Sequence, residues 1–306
     1  MRLRPFLKWV GGKRQLLPAL RHHFPASFSR YHEPFVGSGA VFFDLVADGR
    51  LTAGARLSDD NPDLIACYRA VATRLDDVLA ALEPLAVGHA TSGRGFYLQV
   101  RDTRFNPMRA EWRARGGHLD AYPVELAAMF IYLNRTGYNG LFRLNASGEF
   151  NVPPGRYESP RVLNRNLLTR ASAVLGQPDV TIDHASFSAV LDHAQPGDFV
   201  YFDPPYAPVS ATANFRSYTR RGFTGADQLQ LQRVVVALAA RGVSVLLSNS
   251  VAPSITSLYE GEPDVTAAGL RTWRVPARRS VNTRGDRRGP VEELIVSNVP
   301  GGGEPA

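Results

Sequence analysis

The 306-residue sequence predicts an α/β fold with an inserted, mainly helical domain that carries a β-hairpin. Three observations lead there. The run Phe199-Val-Tyr-Phe202 is apolar and aromatic, with Pro196-Gly197 before it and Pro204-Pro205 after it. It reads as a short buried strand with an abrupt end. Tyr31 to Phe35, then Gly37-Ser38-Gly39, then the apolar run Val41 to Val46 read as strand, glycine turn and helix. From Leu64 to Leu133 the apolar residues recur at helical spacing and no strands alternate with them, which marks an insert into the sheet.

Bulk properties narrow the function classes. Hydrophobic content of 44% is ordinary for a globular protein with a full core. No apolar run reaches about 18 residues, and Met1-Arg-Leu-Arg-Pro lacks the apolar region of a signal peptide, so no membrane role is expected. One cysteine, Cys67, excludes internal disulfides and cysteine-cluster metal sites and fits a reduced, cytoplasmic setting. A net charge of +7 and a pI near 9.8 favour a polyanion, with nucleic acid the first choice. Lys8 and Lys13 are the two lysines among 35 basic residues, and they stand five positions apart.

In chain order, Gly11-Gly12 opens a helical pattern at Leu16, Leu17 and Leu20, without P-loop spacing. Gly37 and Gly39 permit close approach of a cofactor to a strand-to-helix turn. The short strand Ala55 to Ser58 leads to Asp59, twenty residues beyond Gly39, where nucleotide-binding sheets hold ribose hydroxyls. Helical spacing resumes from Leu64 to Leu82. Gly88 to Gly95 reads as a loop, Arg101 to Gly117 is arginine-rich, and a further helix starts near Pro123. The turn Asn145-Ala-Ser-Gly148 lies between two strand-like runs and predicts a hairpin, in a stretch that carries arginine, asparagine and tyrosine together. Val180 to Ile182 is a strand whose end presents Ser186 and Phe187.

Asp203 follows Phe202, and Pro204-Pro205 stops the ladder there. Its carboxylate is therefore expected at the carboxyl end of a strand, beside a Pro204 carbonyl outside the ladder. That pair of acceptors suits an exocyclic amino group, with the Tyr206 ring as a stacking face. Small polar residues from Ala207 to Phe215 read as a mobile loop. Thr224 caps a helix over Leu229 to Ala240, and Val243 to Leu247 is a buried strand. Seven arginines between Arg271 and Arg288, including Arg278-Arg279, read as a phosphate-contacting loop between Val275 and Leu294. Residues 300–306 read as a disordered tail.

These blocks occur in one order. Phe6-Leu-Lys-Trp9 with Gly11-Gly-Lys13, Glu33-Pro-Phe-Val-Gly-Ser-Gly39, Asn134 to Tyr157, Asp203-Pro-Pro-Tyr206 with Ser210 to Phe215, and Arg278-Arg-Ser280 together resemble the Dam-type DNA adenine N6-methyltransferases, the alpha group with its DPPY motif. The likeness runs from Phe6 to about Asn298 and is weakest from Asp76 to Asp120. It implies a Rossmann-like, S-adenosylmethionine-dependent methyltransferase sheet over 1–61 and 164–299, with a target-recognition domain over 62–163. It implies methylation of adenine N6 in double-stranded DNA, within GATC, by an enzyme of the cytoplasm and nucleoid that needs no metal. By motif, Trp9, Lys13, Phe35, Gly37, Gly39, Asp59, Ser186, Phe187 and Asp203 would line the cofactor site. Asp203, Pro204, Pro205 and Tyr206 would be catalytic. Lys8, Tyr138, Asn139, Leu141, Arg143, Pro153 and Tyr157 would meet DNA, joined by Arg278 and Arg279. Two other readings compete. One is a catalytically idle DNA-binding regulator on the same fold, against which the intact Asp-Pro-Pro-Tyr stands. The other is an NAD-dependent oxidoreductase, which lacks the third glycine of its fingerprint.

Overall fold

Phe199–Phe202 forms a strand buried at all four positions, as expected where a sheet is covered on both faces. It sits in a computed structural model that describes residues 2–207, 223–278 and 290–299. The described chain divides into two compact units. One holds residues 13–60 and the chain from 185 onward; the other holds 1–12 and 61–184. From sequence, the sheet domain is expected over 1–61 and 164–299 and the target-recognition domain over 62–163. Phe6 packs on Tyr68 with ring centroids 5.0 Å apart, and Trp9 stacks on Phe130, which ties the N-terminal segment to the unit that holds 61–184. No helix among the described residues is long and apolar enough to cross a membrane.

The sheet unit contains α1 (Leu17–Arg21), β1 (Tyr31–Glu33), α2 (Ala40–Ala47) and β2 (Ala55–Asp59). The helical unit follows with α3 (Pro62–Thr73), α4 (Leu75–Gln99), α5 (Asn106–Ala114), α6 (Val124–Thr136), α7 (Arg165–Leu175) and β3 (Val180–His184). The sheet unit then resumes with β4 (Phe199–Phe202), α8 (Gly225–Ala240), β5 (Ser244–Ser250), α9 (Pro253–Tyr259), α10 (Pro263–Ala267), β6 (Arg271–Arg278) and β7 (Pro290–Ser297). Its strands run in the order β2-β1-β4-β5-β7-β6. β2, β1, β4 and β5 are parallel; β7 runs antiparallel to β5, and β6 antiparallel to β7. The carboxyl ends of four neighbouring parallel strands therefore form one edge, the side on which such sheets bind ligands.

Sequence chemistry accounts for these elements. α8 begins with a reciprocal capping box between Thr224 and Asp227. It lays Leu231, Val235 and Leu238 into a core shared with Val200, Phe202, Val245, Leu247 and Val296. Truncating a fully buried phenylalanine such as Phe202 to alanine costs about 3–5 kcal/mol. Polar residues inside β1 survive burial because each has a partner. His32 Nε2 meets Asp198 Oδ2 at 3.0 Å, and Glu33 accepts bonds from the Tyr31 hydroxyl and the Phe42 amide.

Two readings from sequence need correction. The Gly88–Gly95 stretch is helical and lies within α4, broken only by a kink at Gly93, whose φ is 48°. Gly88 serves packing there: a Cβ would stand 2.3 Å from the Phe96 ring. The arginine-rich segment expected as a loop from Val275 to Leu294 is strand up to Arg278 and again from Pro290, paired in register across β6 and β7. The mobile loop expected over Ala207 to Phe215 lies, beyond Ala207, outside the described residues, as do Arg279 and the tail 300–306.

Candidate active site and nucleic-acid interface

At the end of β4, Asp203 is about one-fifth exposed, and its Oδ1 lies 2.9 Å from Nζ of the buried Lys13. Ser248 Oγ reaches the same oxygen at 3.5 Å. The Pro204 carbonyl accepts no hydrogen bond among the described residues, whereas the Pro205 carbonyl accepts from Gln228 Nε2 at 3.1 Å. Lys13 also lies 3.7 Å from Glu293 Oε2 and 4.2 Å from the centre of the Tyr206 ring. The Tyr206 hydroxyl donates to Glu293 Oε2 at 2.6 Å, which fixes the ring plane. Burial pushes the Asp203 carboxyl up to about 6 against the pull of Lys13, so it remains ionised at neutral pH.

The glycine turn lies at the ends of β1 and β2. Gly37 and Gly39 have φ of 45° and 65°, a region open to residues without Cβ. Gly39 caps α2, and the Gly37 amide donates to Asp59 Oδ2 at 3.1 Å. Phe35 stacks on Phe187, 5.4 Å between centroids and 21° between planes. Ser186 caps the short 3-10 turn that Phe187 begins. Burial pushes the Glu33 carboxyl up to about 8, with the charges of Asp203 and Asp59 adding to it and the Tyr31 and Phe42 donors opposing it. Glu33, Asp59 and Asp203 thus place three acidic groups at the ends of adjacent strands.

The helical unit gathers the residues expected to meet DNA. The Lys8 backbone is clamped at two points by Asn134: its N–H donates to Oδ1 at 2.8 Å and its carbonyl accepts from Nδ2 at 2.6 Å. The Lys8 ammonium donates to the Arg135 carbonyl at 3.1 Å and lies 3.7 Å from the Tyr157 ring centre. Burial, then the Arg135 charge, bring it down to about 8. Tyr138 to Gly140 form a 3-10 turn. Asn139 is the non-glycine residue at positive φ among those described, and a Cβ on Gly140 would meet Lys8 Cβ at 2.5 Å. The Tyr138 amide donates to the Pro153 carbonyl, and Leu141 follows at the turn's end. Arg143 is exposed on the hairpin, its Nε donating to Asn151 Oδ1 at 2.7 Å. The hairpin closes by single bridges, Leu144 with Phe150 and Gly137 with Pro154.

The expected residues therefore fall into two groups. Lys13, Phe35, Gly37, Gly39, Asp59, Ser186, Phe187 and Asp203 to Tyr206 belong to the sheet unit; Lys8, Trp9, Tyr138, Asn139, Leu141, Arg143, Pro153 and Tyr157 belong to the helical unit. Arg278 ends β6, and Arg279 lies outside the described residues. Glu293, Ser248 and Asn151 were not singled out from sequence. Glu293 and Ser248 come from other strands and carry no local signal. Asn151 lies eight residues from Arg143 across the turn, and hairpin register could have found it.

Comparison with known proteins identifies the family. Residues 9–272 match the family of D12 class N6 adenine-specific DNA methyltransferases. The chain is 36% identical to the Type II methyltransferase M1.LlaDCHI of Lactococcus lactis subsp. cremoris over 297 residues, covering 97% of this chain and 95% of the relative. It is 36% identical to the Type II methyltransferase M.MjaIII of Methanocaldococcus jannaschii, covering 97% and 100%. The DNA adenine methylase of Escherichia coli K12 is also 36% identical, covering 99% and 98%. With a family match over most of its length and full-length relatives, this chain belongs to the D12 class of N6 adenine-specific DNA methyltransferases.

Proposed function

We propose that the protein transfers a methyl group from S-adenosylmethionine to N6 of an adenine swung out of duplex DNA, within GATC, acting on nucleoid DNA in the cytoplasm. The observation that carries this reading is the Asp203 carboxylate at the end of β4, next to a Pro204 carbonyl without a donor among the described residues.

The residues of the sheet unit fit the cofactor. Gly37 and Gly39 leave their turn open to close approach, and Asp59 ends β2 where ribose hydroxyls are held. Phe35 and Phe187 offer stacked rings to a purine, with Ser186 beside them; Trp9 and Lys13 join the set by motif. The carboxyl groups of Asp59 and Asp203 at two strand ends favour a ligand with positive charge, whereas Glu33, pushed up to about 8, is largely protonated at neutral pH. When bound, S-adenosylmethionine supplies a methyl group carried on a positively charged sulfur.

An adenine amino group inside a duplex is out of reach, so the base must leave the stack. Tyr206, its ring held through Glu293, is the stacking face. The amino lone pair is delocalised into the purine ring. Accepting one N–H at Asp203 and the other at Pro204 localises it and stabilises positive charge as the N–C bond forms. The nitrogen then sheds one proton, and the Asp203 carboxylate is the base beside it. Lys13 can leave Asp203 without losing ionic partnership, because Glu293 lies 3.7 Å away. In the helical unit, Arg143 donates to guanine O6 and N7, with Tyr138, Asn139, Leu141, Pro153 and Tyr157 around it. Lys8, Arg278 and Arg279 add positive charge towards the DNA. Relatives named DNA adenine methylase support adenine in DNA as the target; GATC rests on the resemblance to Dam-type enzymes.

Tritiated S-adenosylmethionine and duplexes with or without GATC test the reading. Label is expected on adenine of the GATC duplex and not on duplexes altered at one of the four positions. Label on cytosine, or on all duplexes alike, overturns it.

A further inference from the structure

The return strand of the hairpin, Gly148 to Val152, has two edges, and they are satisfied in different ways. Toward its own first strand, the Glu149 carbonyl accepts from the Asn145 amide and the Asn151 amide donates to the Arg143 carbonyl. The carbonyls of the alternate residues 148, 150 and 152 and the Phe150 amide turn the other way. An outer edge left bare there would cost buried hydrogen bonds, since Phe150 and Val152 are buried. No strand among the described residues covers it. Side chains from the helices do. The Val152 carbonyl accepts from the Tyr97 hydroxyl at 3.0 Å and from Arg101 Nη1 at 3.0 Å. The Phe150 amide donates to Asn106 Oδ1 at 2.9 Å, and the Phe150 carbonyl accepts from Asn106 Nδ2 at 3.0 Å. The Gly148 carbonyl accepts from Arg109 Nη1 at 2.6 Å. Arg109 is itself fixed by the buried Asp63, whose two oxygens accept from its Nε at 2.9 Å.

Four helical side chains thus imitate a neighbouring strand, and their spacing needs explaining. Tyr97 and Arg101 are four apart, and Asn106 and Arg109 three apart, so each pair shares a helix face. Arg101 and Asn106 are five apart. In a regular α-helix five residues turn the side chain about 140° away. Between α4 and α5, however, Val100–Phe105 is a π-helical turn, in which the Asn106 amide bonds the Arg101 carbonyl. One extra residue in that turn returns position 106 to the face of 97 and 101. π-turns of this kind are rare and concentrate at functional sites.

We propose that the π-helical turn Val100–Phe105 is a register device for DNA reading: it aligns Tyr97, Arg101, Asn106 and Arg109 on the outer edge of the hairpin and so fixes where Arg143 is presented. Asn106 is a positioning residue for sequence discrimination and touches no DNA. This rests on the reading of Arg143 given above, and the test separates the two.

Asn106→Ala, Asn106→Asp and Arg143→Ala are compared with wild type by three measurements. These are the ratio of kcat/KM on the cognate duplex to that on duplexes changed at the guanine, hydrogen exchange at the Phe150 amide, and cofactor affinity as a control on the sheet unit. In Asn106→Ala, Phe150 exchange accelerates tenfold or more and discrimination drops about tenfold. KM for DNA rises, kcat at saturating DNA stays within about twofold, and cofactor affinity is unchanged. Asn106→Asp keeps the acceptor for the Phe150 amide but sets a carboxylate against the Phe150 carbonyl, so discrimination drops with less change in exchange. Deleting Thr103, which removes the extra residue, reproduces the Asn106→Ala pattern. Unchanged discrimination in Asn106→Ala, while Arg143→Ala loses it, overturns the register device. Unchanged discrimination in Arg143→Ala sinks instead the assignment of Arg143, and Phe150 exchange then decides whether the helices hold the hairpin.

Discussion

At the strand ends of the sheet unit the working groups are acids pressed into a low-dielectric setting. On the hairpin of the helical unit they are exposed and held by hydrogen-bond register. Asp203 and Glu33 are pushed up to about 6 and about 8 by burial. Arg143 is exposed and is aimed by Asn151, on a strand whose far edge is tied to the helices. The difference follows from the tasks. Stabilising charge that develops on a nitrogen needs dipoles and charges that water does not screen. Reading a base edge needs donors placed to within a few tenths of an ångström, which backbone-like ladders supply.

The contrast breaks most sharply at Asp203. Asp203→Ala is expected to lower methyl transfer about a thousandfold or more while cofactor binding by calorimetry is retained. A variant that keeps wild-type turnover ends the two-acceptor mechanism. In the wild type, kcat should fall as pH drops through about 6, because the carboxylate must be ionised to accept the amino hydrogen. A flat kcat profile from pH 5 to 8 assigns the base role elsewhere.

On the hairpin side the effect is smaller and of another kind. Arg143→Ala is expected to cost about 1–3 kcal/mol of discrimination at one base pair, with turnover on saturating cognate DNA little changed. Competition between cognate and altered duplexes measures it, and a uniform loss across all sequences contradicts a base-reading role. Lys8 links the two styles, since it is a partly buried cation beside the Tyr157 ring. DNA holds its proton on, so affinity should weaken about a few-fold as pH rises from 7 to 9, and this dependence should vanish in Lys8→Ala. Fluorescence anisotropy at fixed salt reads it directly.

The last expected effect is on stability and not on function. The Glu33 carboxyl is raised in the folded state, so the folded chain binds a proton that the unfolded chain releases near 4.5. Its contribution is present below that value and lost as pH climbs through about 8. The slope it adds is up to about 1.4 kcal/mol per pH unit within that window. Glu33→Gln, neutral throughout, should lack this slope in urea titrations. Parallel pH profiles for the two proteins would show that Glu33 ionises normally.

Local chemistry made much of the chain legible. The Phe199–Phe202 run with its two prolines set both the strand and the position of Asp203, because proline cannot extend a ladder. The Gly37 and Gly39 turn followed from residues that alone tolerate positive φ without strain, and Asp59 followed from strand length. Thr224 is the cap of α8 as read from sequence, but the helix begins at Gly225, four residues before the expected Leu229. Gly88 misled because a glycine reads as a loop when its real use, room for the Phe96 ring, depends on a neighbour eight residues away. The arginines of β6 misled because their charge was read as a loop, whereas pairing with β7 makes the segment a strand.

Sequence by itself determined where strands stop, which glycines turn and which acid ends β4, since each of these is fixed within a few residues by sterics and missing donors. Tertiary structure alone decided that Lys13 and Glu293 meet at Asp203 and Tyr206, that Asp63 holds Arg109, and that a π-turn sets Asn106 against Phe150. Those contacts join residues tens to hundreds of positions apart. Their strength comes from burial and register, which exist only once the chain has folded.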